Sequence, residues 1–379
     1  MVNKKVVNKK VNSKMESSKI NSSKTADSKQ KFRVGIVGCG TISRIHAEVI
    51  RSIDRMELVS ACSRSDQKRN TFCSEFGING YADYDSFLYK DNLDVVVLCT
   101  PNGTHLDYGL KAASAGKHLI VEKPLEITVE RGKKLIEQCK RSGVSLAVIF
   151  QSRFIQDVRK LKQAVDDGAI GQLVMARASI KWFRDQAYYK DAPWRGTLAL
   201  DGGGALINQA IHTVDLLLWL TGPVARIQAF KGTLTHEGIE GEDNIVASIH
   251  FKNGALGVLE ASTSIIPAQN RIIELHGTKG TATLDADHFT LSGPDVSADA
   301  MTDEDNVEKK AGSAGASSPL AGFTIAHHLA QYHEIINHID AQTDPPVTGI
   351  ESLQSLALVQ SAYRSAETGV PVSPDDLLA

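Results

Sequence analysis

The sequence predicts an α/β protein: a doubly wound parallel sheet is followed by an α+β domain with a large open, mainly antiparallel sheet. Between residues 32 and 152, short apolar runs alternate with amphipathic segments at the spacing of β–α–β units. Asp94–Cys99 is an almost continuous apolar run, which is typical of parallel strands covered on both faces. After residue 152 the strands are longer and alternate in polarity, as in antiparallel sheets with one covered face.

The predicted elements follow in chain order. In the first part we expect strands at 32–37, 56–62, 94–99, 118–121 and 145–150, and helices at 42–53, 67–76, 105–115 and 128–142. In the second part we expect helices at 158–167, 204–220, 325–341 and 350–367, and strands at 173–183, 224–234, 243–251, 255–263, 271–277 and 281–285. This organisation predicts a tail at 1–31 and two domains, at 32–152 and 153–379.

The composition excludes several classes of protein. The longest apolar runs, such as Leu216–Leu220, are far shorter than the roughly 18 residues of a membrane span. The first 31 residues hold nine lysines and two acids, so we expect a disordered basic tail. The remaining chain carries a net charge of −9, which argues against nucleic acid as the main ligand. Residues 293–318 are acidic, small and polar, which predicts a mobile loop.

The cysteines indicate where the protein resides. There are five, without a C-x-x-C pair or a short-spaced cysteine and histidine cluster. An odd number of cysteines in a chain of 379 residues predicts reduced thiols and a cytoplasmic protein. The spacing does not fit a zinc site, and we expect no metal.

A glycine-rich turn follows the first predicted strand and opens the first helix. It reads Gly38-Cys39-Gly40-Thr41-Ile42-Ser43, with serine where the pattern G-x-G-x-x-G has its third glycine. Glycines at such a turn let backbone N–H groups approach a diphosphate, and the helix N-terminus adds partial positive charge. The turn therefore predicts a Rossmann domain that binds NAD(P), with Gly38, Gly40, Thr41 and Ile42 beside the diphosphate.

The end of the second strand bears on the choice of cofactor. NAD sites usually place an acid about 20 residues after the glycines, where it accepts a hydrogen bond from the ribose. Here the sequence is Cys62-Ser63-Arg64, without an acid. Ser63 and Arg64 are suited to a 2′-phosphate, so the sequence favours NADP over NAD. A surface arginine at the start of a helix is the alternative interpretation of Arg64.

A further ordered set of residues carries a resemblance to a known family. It consists of Cys99-Thr100-Pro101-Asn102, His105, Gly116-Lys117-His118 and Val121-Glu122-Lys123-Pro124-Leu125. From about Phe32 to Pro371 the chain resembles the glucose–fructose oxidoreductase/inositol dehydrogenase/MocA family of dinucleotide-dependent sugar oxidoreductases. The resemblance implies that Lys123 lies beside the nicotinamide and polarises the substrate oxygen.

The predicted helix at 204–220 carries a polar row on an otherwise apolar segment. Asn208, His212 and Asp215 share one face at helical spacing. A buried polar row costs free energy unless its members are bonded, which leaves a hydrogen-bonded core histidine or a general base as explanations for His212. In the family this helix supplies the active-site histidine, and His212 matches it. The inositol branch has a carboxylate where this chain has Asn208, which argues against inositol as the substrate.

The resemblance implies hydride transfer between a sugar carbon and nicotinamide. His212 would take the hydroxyl proton and Asn208 would bind a neighbouring hydroxyl. Thr100, Pro101, Asn102, His105 and Glu122 would line the nicotinamide-ribose side, with Trp194 and Arg195 reaching in from the second domain. The segment from Trp182 to Gln209 looks most like the branch that oxidises C3 of a UDP-linked N-acetylamino-glucuronate. The family assembles through its open sheet, so we expect a homodimer or homotetramer.

Two other functions stay open from the sequence. Some relatives sense or carry the dinucleotide without turnover, although both Lys123 and His212 are present here. Other relatives act on non-sugar diols, carbonyls or imines. Neither the sugar nor the physiological direction of the reaction follows from the sequence.

Overall fold

The computed structural model describes residues 31–294 and 324–379. The predicted tail at 1–31 lies outside the described residues except for residue 31. The predicted loop at 293–318 lies outside them except for residues 293 and 294. The described residues form one unit, so the domain boundary at residue 152 stays a prediction.

The first sheet has six parallel strands in the order β3-β2-β1-β4-β5-β6. They are Phe32–Val37 (β1), Met56–Cys62 (β2), Asn79–Tyr81 (β3), Val95–Leu98 (β4), His118–Val121 (β5) and Leu146–Val148 (β6). The helices between them are Thr41–Arg51 (α1), Asp66–Phe76 (α2), Tyr84–Lys90 (α3), His105–Ser114 (α4) and Val129–Ser142 (α5). The strand order reverses between β1 and β4, and crevices at such switch points bind ligands in doubly wound sheets. The predicted parallel sheet is confirmed.

Among the described residues, the second sheet has seven strands in the order β13-β12-β11-β7-β10-β9-β8, and only β7 and β10 pair in parallel. The strands are Leu173–Lys181 (β7), Val224–Gly232 (β8), Asn244–Phe251 (β9), Leu256–Ser262 (β10), Ile272–Gly277 (β11), Thr281–Asp285 (β12) and His288–Ser292 (β13). Burial alternates strictly along β9, which leaves one face of the sheet covered and the other open. The predicted open, mainly antiparallel sheet is confirmed.

The remaining helices pack on one face of the second sheet, and α9 and α10 also contact helices or strands of the first sheet. They are Gln156–Asp166 (α6), Gln186–Lys190 (α7), Ile211–Thr221 (α8), Ala326–Ala341 (α9), Gly349–Thr368 (α10) and Asp375–Leu378 (α11). Helix α9 packs on α1, and the Gln331 side chain donates a hydrogen bond to the carbonyl oxygen of Val148 in β6. Among the described helices, none is long and apolar enough to cross a membrane.

The prediction of one continuous helix at 204–220 is wrong in one respect. Ala205–Gln209 forms a π turn, closed by the hydrogen bond from Ala210 N to the Ala205 carbonyl, and α8 starts after it. A π turn holds one more residue than an α turn, so the α-helical spacing between Asn208 and the residues of α8 no longer applies. Asp215 is buried and instead accepts two hydrogen bonds of 2.7 Å from Arg153.

Candidate active site

A cavity of about 920 Å³ lies at the carboxyl ends of the strands of the first sheet. Its walls come from the segments after β1, β2, β4 and β5, and from residues 182–195 and 208–213 of the second part. The sequence-predicted site residues on its walls are Gly38, Gly40, Thr41, Ile42, Ser63, Arg64, Thr100, Pro101, Asn102, Glu122, Lys123, Trp194, Arg195, Asn208 and His212. The structure thus gathers at one cavity residues that are up to 174 positions apart, from Gly38 to His212.

The glycine turn leaves the start of α1 open to this cavity. Gly38 has a φ of +98°, and a Cβ there would lie 2.4 Å from the Cys99 carbonyl oxygen. Within residues 31–294 and 324–379, a Cβ on Gly40 would meet no atom within 4 Å, and no side chain caps α1. The first amide groups of α1 are therefore available to a ligand, and a diphosphate fits this donor set. Ser43, in the place of the third glycine, is buried and donates to the Gly40 carbonyl at 2.6 Å.

The cavity wall beyond β2 is basic. Ser63, Arg64 and Lys68 line it, and Arg64 is exposed. Arg69 instead donates to the Ser63 carbonyl at 2.8 Å and to the Asp66 carboxylate at 2.6 Å. In the described part of the chain, the cavity-lining residues between 62 and 84 include no carboxylate.

Lys123 and His212 come from different parts of the fold, and both line the cavity. The Lys123 ammonium donates a hydrogen bond of 2.8 Å to the Asn208 carbonyl. Burial lowers the pKa of Lys123, while the neighbouring Glu122 and Asp201 oppose that shift. Burial and the Lys123 charge together lower the pKa of His212 well below its ordinary value. His212 is therefore neutral at pH 7, and its buried Nδ1 accepts no hydrogen bond from a described residue.

Asp201 connects the site residues of the two parts of the chain. Its Oδ1 accepts hydrogen bonds from the side chains of Asn102 at 2.9 Å and Asn208 at 2.6 Å. Its Oδ2 accepts one from the Gly196 amide at 2.8 Å. Burial raises the pKa of Asp201 to about 6. Asp201 thus fixes the amide orientation of Asn208, whose Oδ1 accepts a further hydrogen bond from Gln209 at 2.7 Å.

Two close backbone approaches and a buried carboxylate hold the turn that carries Asn208. A Cβ on Gly204 would lie 1.8 Å from the Glu242 carbonyl oxygen, and one on Gly241 would lie 2.3 Å from the Gly203 carbonyl carbon. The Glu242 carboxylate accepts hydrogen bonds from the amides of Gly204 and Leu206 at 3.0 and 2.8 Å. The run of three glycines after Asp201 is the sequence signal of this packing.

His105 has a different place from the one predicted for it. It is fully buried behind the cavity wall instead of lining the nicotinamide-ribose side. Its Nδ1 lies 3.0 Å from the Pro124 carbonyl oxygen, and its Nε2 lies 3.1 Å from that of Thr100. Because each ring nitrogen contacts a main-chain carbonyl oxygen, His105 links the segment after β4 to the segment after β5.

Several cavity residues were not predicted as site residues. Arg184 and Arg271 are buried arginines, and His327 and His328 come from α9. The Arg184 guanidinium donates to the Gln209 side chain at 2.8 Å, and its central carbon lies 5.3 and 5.4 Å from the ring centroids of Trp182 and Tyr188. Local spacing carries no signal for α9, because its contact with the first sheet depends on the fold of the whole chain.

Family models match most of the described chain. A model of an oxidoreductase family with an NAD-binding Rossmann fold matches residues 32–150, and a model of the GFO/IDH/MocA C-terminal domain matches residues 158–283. The chain belongs to the GFO/IDH/MocA oxidoreductase family. The predicted family, its NAD-binding Rossmann fold and its oxidoreductase class are confirmed.

Relatives within the GFO/IDH/MocA family cover nearly the whole chain. The WlbA dehydrogenase of Bordetella pertussis, solved in complex with NADH and UDP-GlcNAcA, is 33% identical with a TM-score of 0.79, over 91% of this chain and 99% of that one. Myo-inositol 2-dehydrogenase of Thermotoga maritima is 27% identical over 91% of this chain and 99% of its own length. D-glucoside 3-dehydrogenase of Escherichia coli is 27% identical over 92% of this chain and 99% of its own length.

Proposed function

We propose that this protein is an NAD(P)-dependent dehydrogenase that oxidises a hydroxyl carbon of a nucleotide-linked sugar. One observation carries the proposal: Lys123, Asn208 and His212 meet at the cavity whose other end is the open N-terminus of α1. When bound there, the nicotinamide supplies the hydride acceptor. The protein residues then have two tasks, which are to orient the sugar hydroxyl and to remove its proton.

His212 is the proposed base because it is neutral and its lowered pKa leaves it free to accept a proton at pH 7. Lys123 is the proposed electrophile, since an ammonium group stabilises the negative charge that develops on the substrate oxygen. Asn208 would bind a neighbouring hydroxyl, with its amide fixed by Asp201 and Gln209. The presence of both Lys123 and His212 favours this enzyme over a dinucleotide-sensing regulator.

The cavity charge supports a nucleotide-linked and acidic sugar. Six lysines and arginines line the cavity against three acids, an excess that favours polyanionic ligands. Two of the cavity-lining arginines act on the proposed catalytic pair, Arg184 on Lys123 and Arg271 on His212. The WlbA relative was solved in complex with UDP-GlcNAcA, and we propose a substrate of this type for the present protein. Asn208, an amide instead of a carboxylate, argues against inositol, which remains the second candidate through the 27% identical relative.

A substrate panel tests this function. We expect the purified protein to oxidise UDP-N-acetylglucosaminuronate with a kcat/KM roughly tenfold or more above that for UDP-N-acetylglucosamine, because a charge-assisted hydrogen bond contributes about 1.5–3 kcal/mol. Myo-inositol and free glucose serve as comparisons, and UDP alone is expected to inhibit competitively. A preference for myo-inositol, or no effect of UDP, would contradict the proposal.

NADP is the proposed preferred cofactor, although the NADH complex of the WlbA relative shows that the family accepts NAD(H). Ser63, Arg64 and Lys68 stand where NAD sites place an acid. We expect a higher kcat/KM with NADP⁺ than with NAD⁺. In Ser63→Asp/Arg64→Ala this preference is expected to reverse by about tenfold or more, since the 2′-phosphate loses a charged partner and gains a repulsive one. The ratio of kcat/KM values measures it. An unchanged ratio that favours NAD⁺ would refute the assignment.

We also infer that the protein is a cytoplasmic homodimer or homotetramer. The open face of the second sheet carries exposed apolar residues at paired positions, Met175 beside Leu256 and Phe230 beside Val246. Their burial against a second copy would remove an apolar patch from water. All five cysteines are free thiols, as expected in a reducing compartment. Light scattering that finds a monomer at micromolar concentration would contradict the assembly.

A further inference from the structure

Behind the proposed catalytic lysine, three buried residues from distant segments form a chain of hydrogen bonds. The Tyr332 hydroxyl lies 2.5 Å from His46 Nδ1, and His46 Nε2 lies 2.7 Å from Glu122 Oε1. Tyr332 and His46 are 0% exposed and Glu122 is 8% exposed. Tyr332 lies on α9, His46 on α1 and Glu122 after β5, so the chain joins three elements.

The charge of Glu122 determines the direction of these hydrogen bonds. Burial raises the pKa of Glu122, but the hydrogen bond with His46 and the charge of Lys123 lower it more, to about 2. An ionised carboxylate only accepts hydrogen bonds, so the proton of a neutral His46 lies on Nε2. His46 Nδ1 then accepts from the Tyr332 hydroxyl. The order is therefore Tyr332 O–H to His46 and His46 N–H to Glu122.

The other oxygen of Glu122 faces the catalytic residue. Glu122 Oε2 accepts a hydrogen bond of 3.1 Å from the Lys123 amide, and the carboxylate charge raises the pKa of Lys123 against the effect of burial. Asp201 acts on Lys123 in the same direction, whereas Arg184 lowers its pKa. Burial raises the pKa of the Cys99 thiol, and the nearby charge of Glu122 raises it further.

We propose that Tyr332 and His46 are positioning residues that hold the Glu122 carboxylate charged and oriented, so that Lys123 stays an ammonium during turnover. The inference rests on the proposed function of Lys123. It differs from that function in assigning a role to two residues that do not line the cavity, one of them on helix α9. Removal of the Tyr332 hydroxyl weakens the orientation of His46, and the negative field at Lys123 decreases with it.

A metal centre is the competing explanation of the same residues. Ligand atoms of His46, Glu122 and His328 all lie within 4.8 Å of one another. However, Nε2 and Oε1 are 2.7 Å apart, which is a hydrogen-bond distance, whereas two ligands of one tetrahedral zinc ion are separated by about 3.3 Å. The Tyr332 hydroxyl also occupies the second nitrogen of His46. The geometry favours the hydrogen-bonded chain.

The test compares Tyr332→Phe and Glu122→Gln with Tyr189→Phe as the matched control. Tyr189 is also buried and its hydroxyl makes one hydrogen bond, of 2.9 Å to Thr263, but it does not line the cavity. The alkaline limb of the pH profile of kcat reports the loss of the Lys123 proton. In Glu122→Gln we expect this limb to move about one pH unit or more towards lower pH. In Tyr332→Phe it moves in the same direction by less, and in Tyr189→Phe it stays in place.

A purely structural role of Tyr332 would lower kcat without moving the limb, and that result overturns the proposal. A second readout does not depend on turnover: ¹⁵N-histidine NMR of the full-length protein. It is expected to show His46 as a neutral Nε2–H tautomer at pH 7 in the parent and an altered His46 signal in Tyr332→Phe. If the tautomer is found but no sugar is oxidised, the proposed function fails and the hydrogen-bond chain stands. A charged or Nδ1–H histidine, or one bound metal ion per chain that Glu122→Gln loses, overturns the inference.

Discussion

Replacement of Lys123 by alanine is expected to lower kcat by roughly 10²–10⁴-fold, the usual scale for a positioned acid or base group. The ammonium is the cation that donates directly to the Asn208 carbonyl beside His212, so its loss leaves the developing negative charge on the substrate oxygen without its closest partner. Cofactor binding is expected to weaken as well, because Lys123 belongs to the segment after β5 of the dinucleotide-binding sheet.

Steady-state kinetics and titration of the reduced cofactor measure the two effects of Lys123→Ala separately. Lys140→Ala is the matched control, since Lys140 is exposed at the end of α5, far from the cavity wall. Circular dichroism and the melting temperature establish that both variants are folded. A Lys123→Ala protein with the kcat of the control would remove Lys123 from the mechanism.

The alternation of strands and helices in the first sheet could be predicted because each buried strand is an apolar run. Val95–Leu98 is buried at all four positions, and the sequence shows it without ambiguity. Strand β3 was missed, because its three residues, Asn79–Tyr81, are polar or small and none is buried. A short edge strand contributes little apolar surface, so periodicity has nothing to detect there.

The division of the helix at 204–220 could not be predicted from local sequence. The residues favour a continuous apolar helix, yet the Glu242 carboxylate binds the amides of Gly204 and Leu206 from 38 and 36 positions away. This long-range contact satisfies the first amides of the segment and fixes a π turn. Asn208 and His212 both line the cavity, whereas Asp215 is buried against Arg153.

The residues of the candidate site also fall into two groups, those that local sequence locates and those whose partners are distant in sequence. Lys123, Asn208 and His212 lie in local motifs, and the sequence locates each of them. Asp201 sits in a recognisable glycine run, but its role depends on a contact with Asn102, 99 positions away. The pair of His46 and Tyr332 is separated by 286 positions, and no spacing rule connects two such residues. Motifs thus predict the groups that are proposed to act on the substrate, while the buried partners of these groups require the fold.

Replacement of His212 by alanine is expected to lower kcat by roughly 10²–10⁴-fold while the affinity for the reduced cofactor changes little, because His212 belongs to α8 and not to the dinucleotide-binding sheet. The pH dependence follows from the lowered pKa of His212. A base acts in its neutral form, so the parent should keep its activity through the ordinary histidine value of 6.5 and lose it only at lower pH. In His212→Ala this acidic limb should disappear.

The His212 ring packs edge-on against Phe150, with 5.5 Å between the two ring centroids. The pH profile of kcat distinguishes proton removal by His212 from this packing role. His212→Asn keeps a polar side chain of smaller volume but cannot take the proton, so it should be as slow as alanine if proton transfer is the role. His333→Ala, at an exposed position of α9 that does not line the cavity, is the control for loss of a histidine. If His212→Ala retained near-normal kcat across the pH range, the base would have to be Lys123. The acidic limb that is assigned here to His212 would then belong to Lys123 and should disappear in Lys123→Ala.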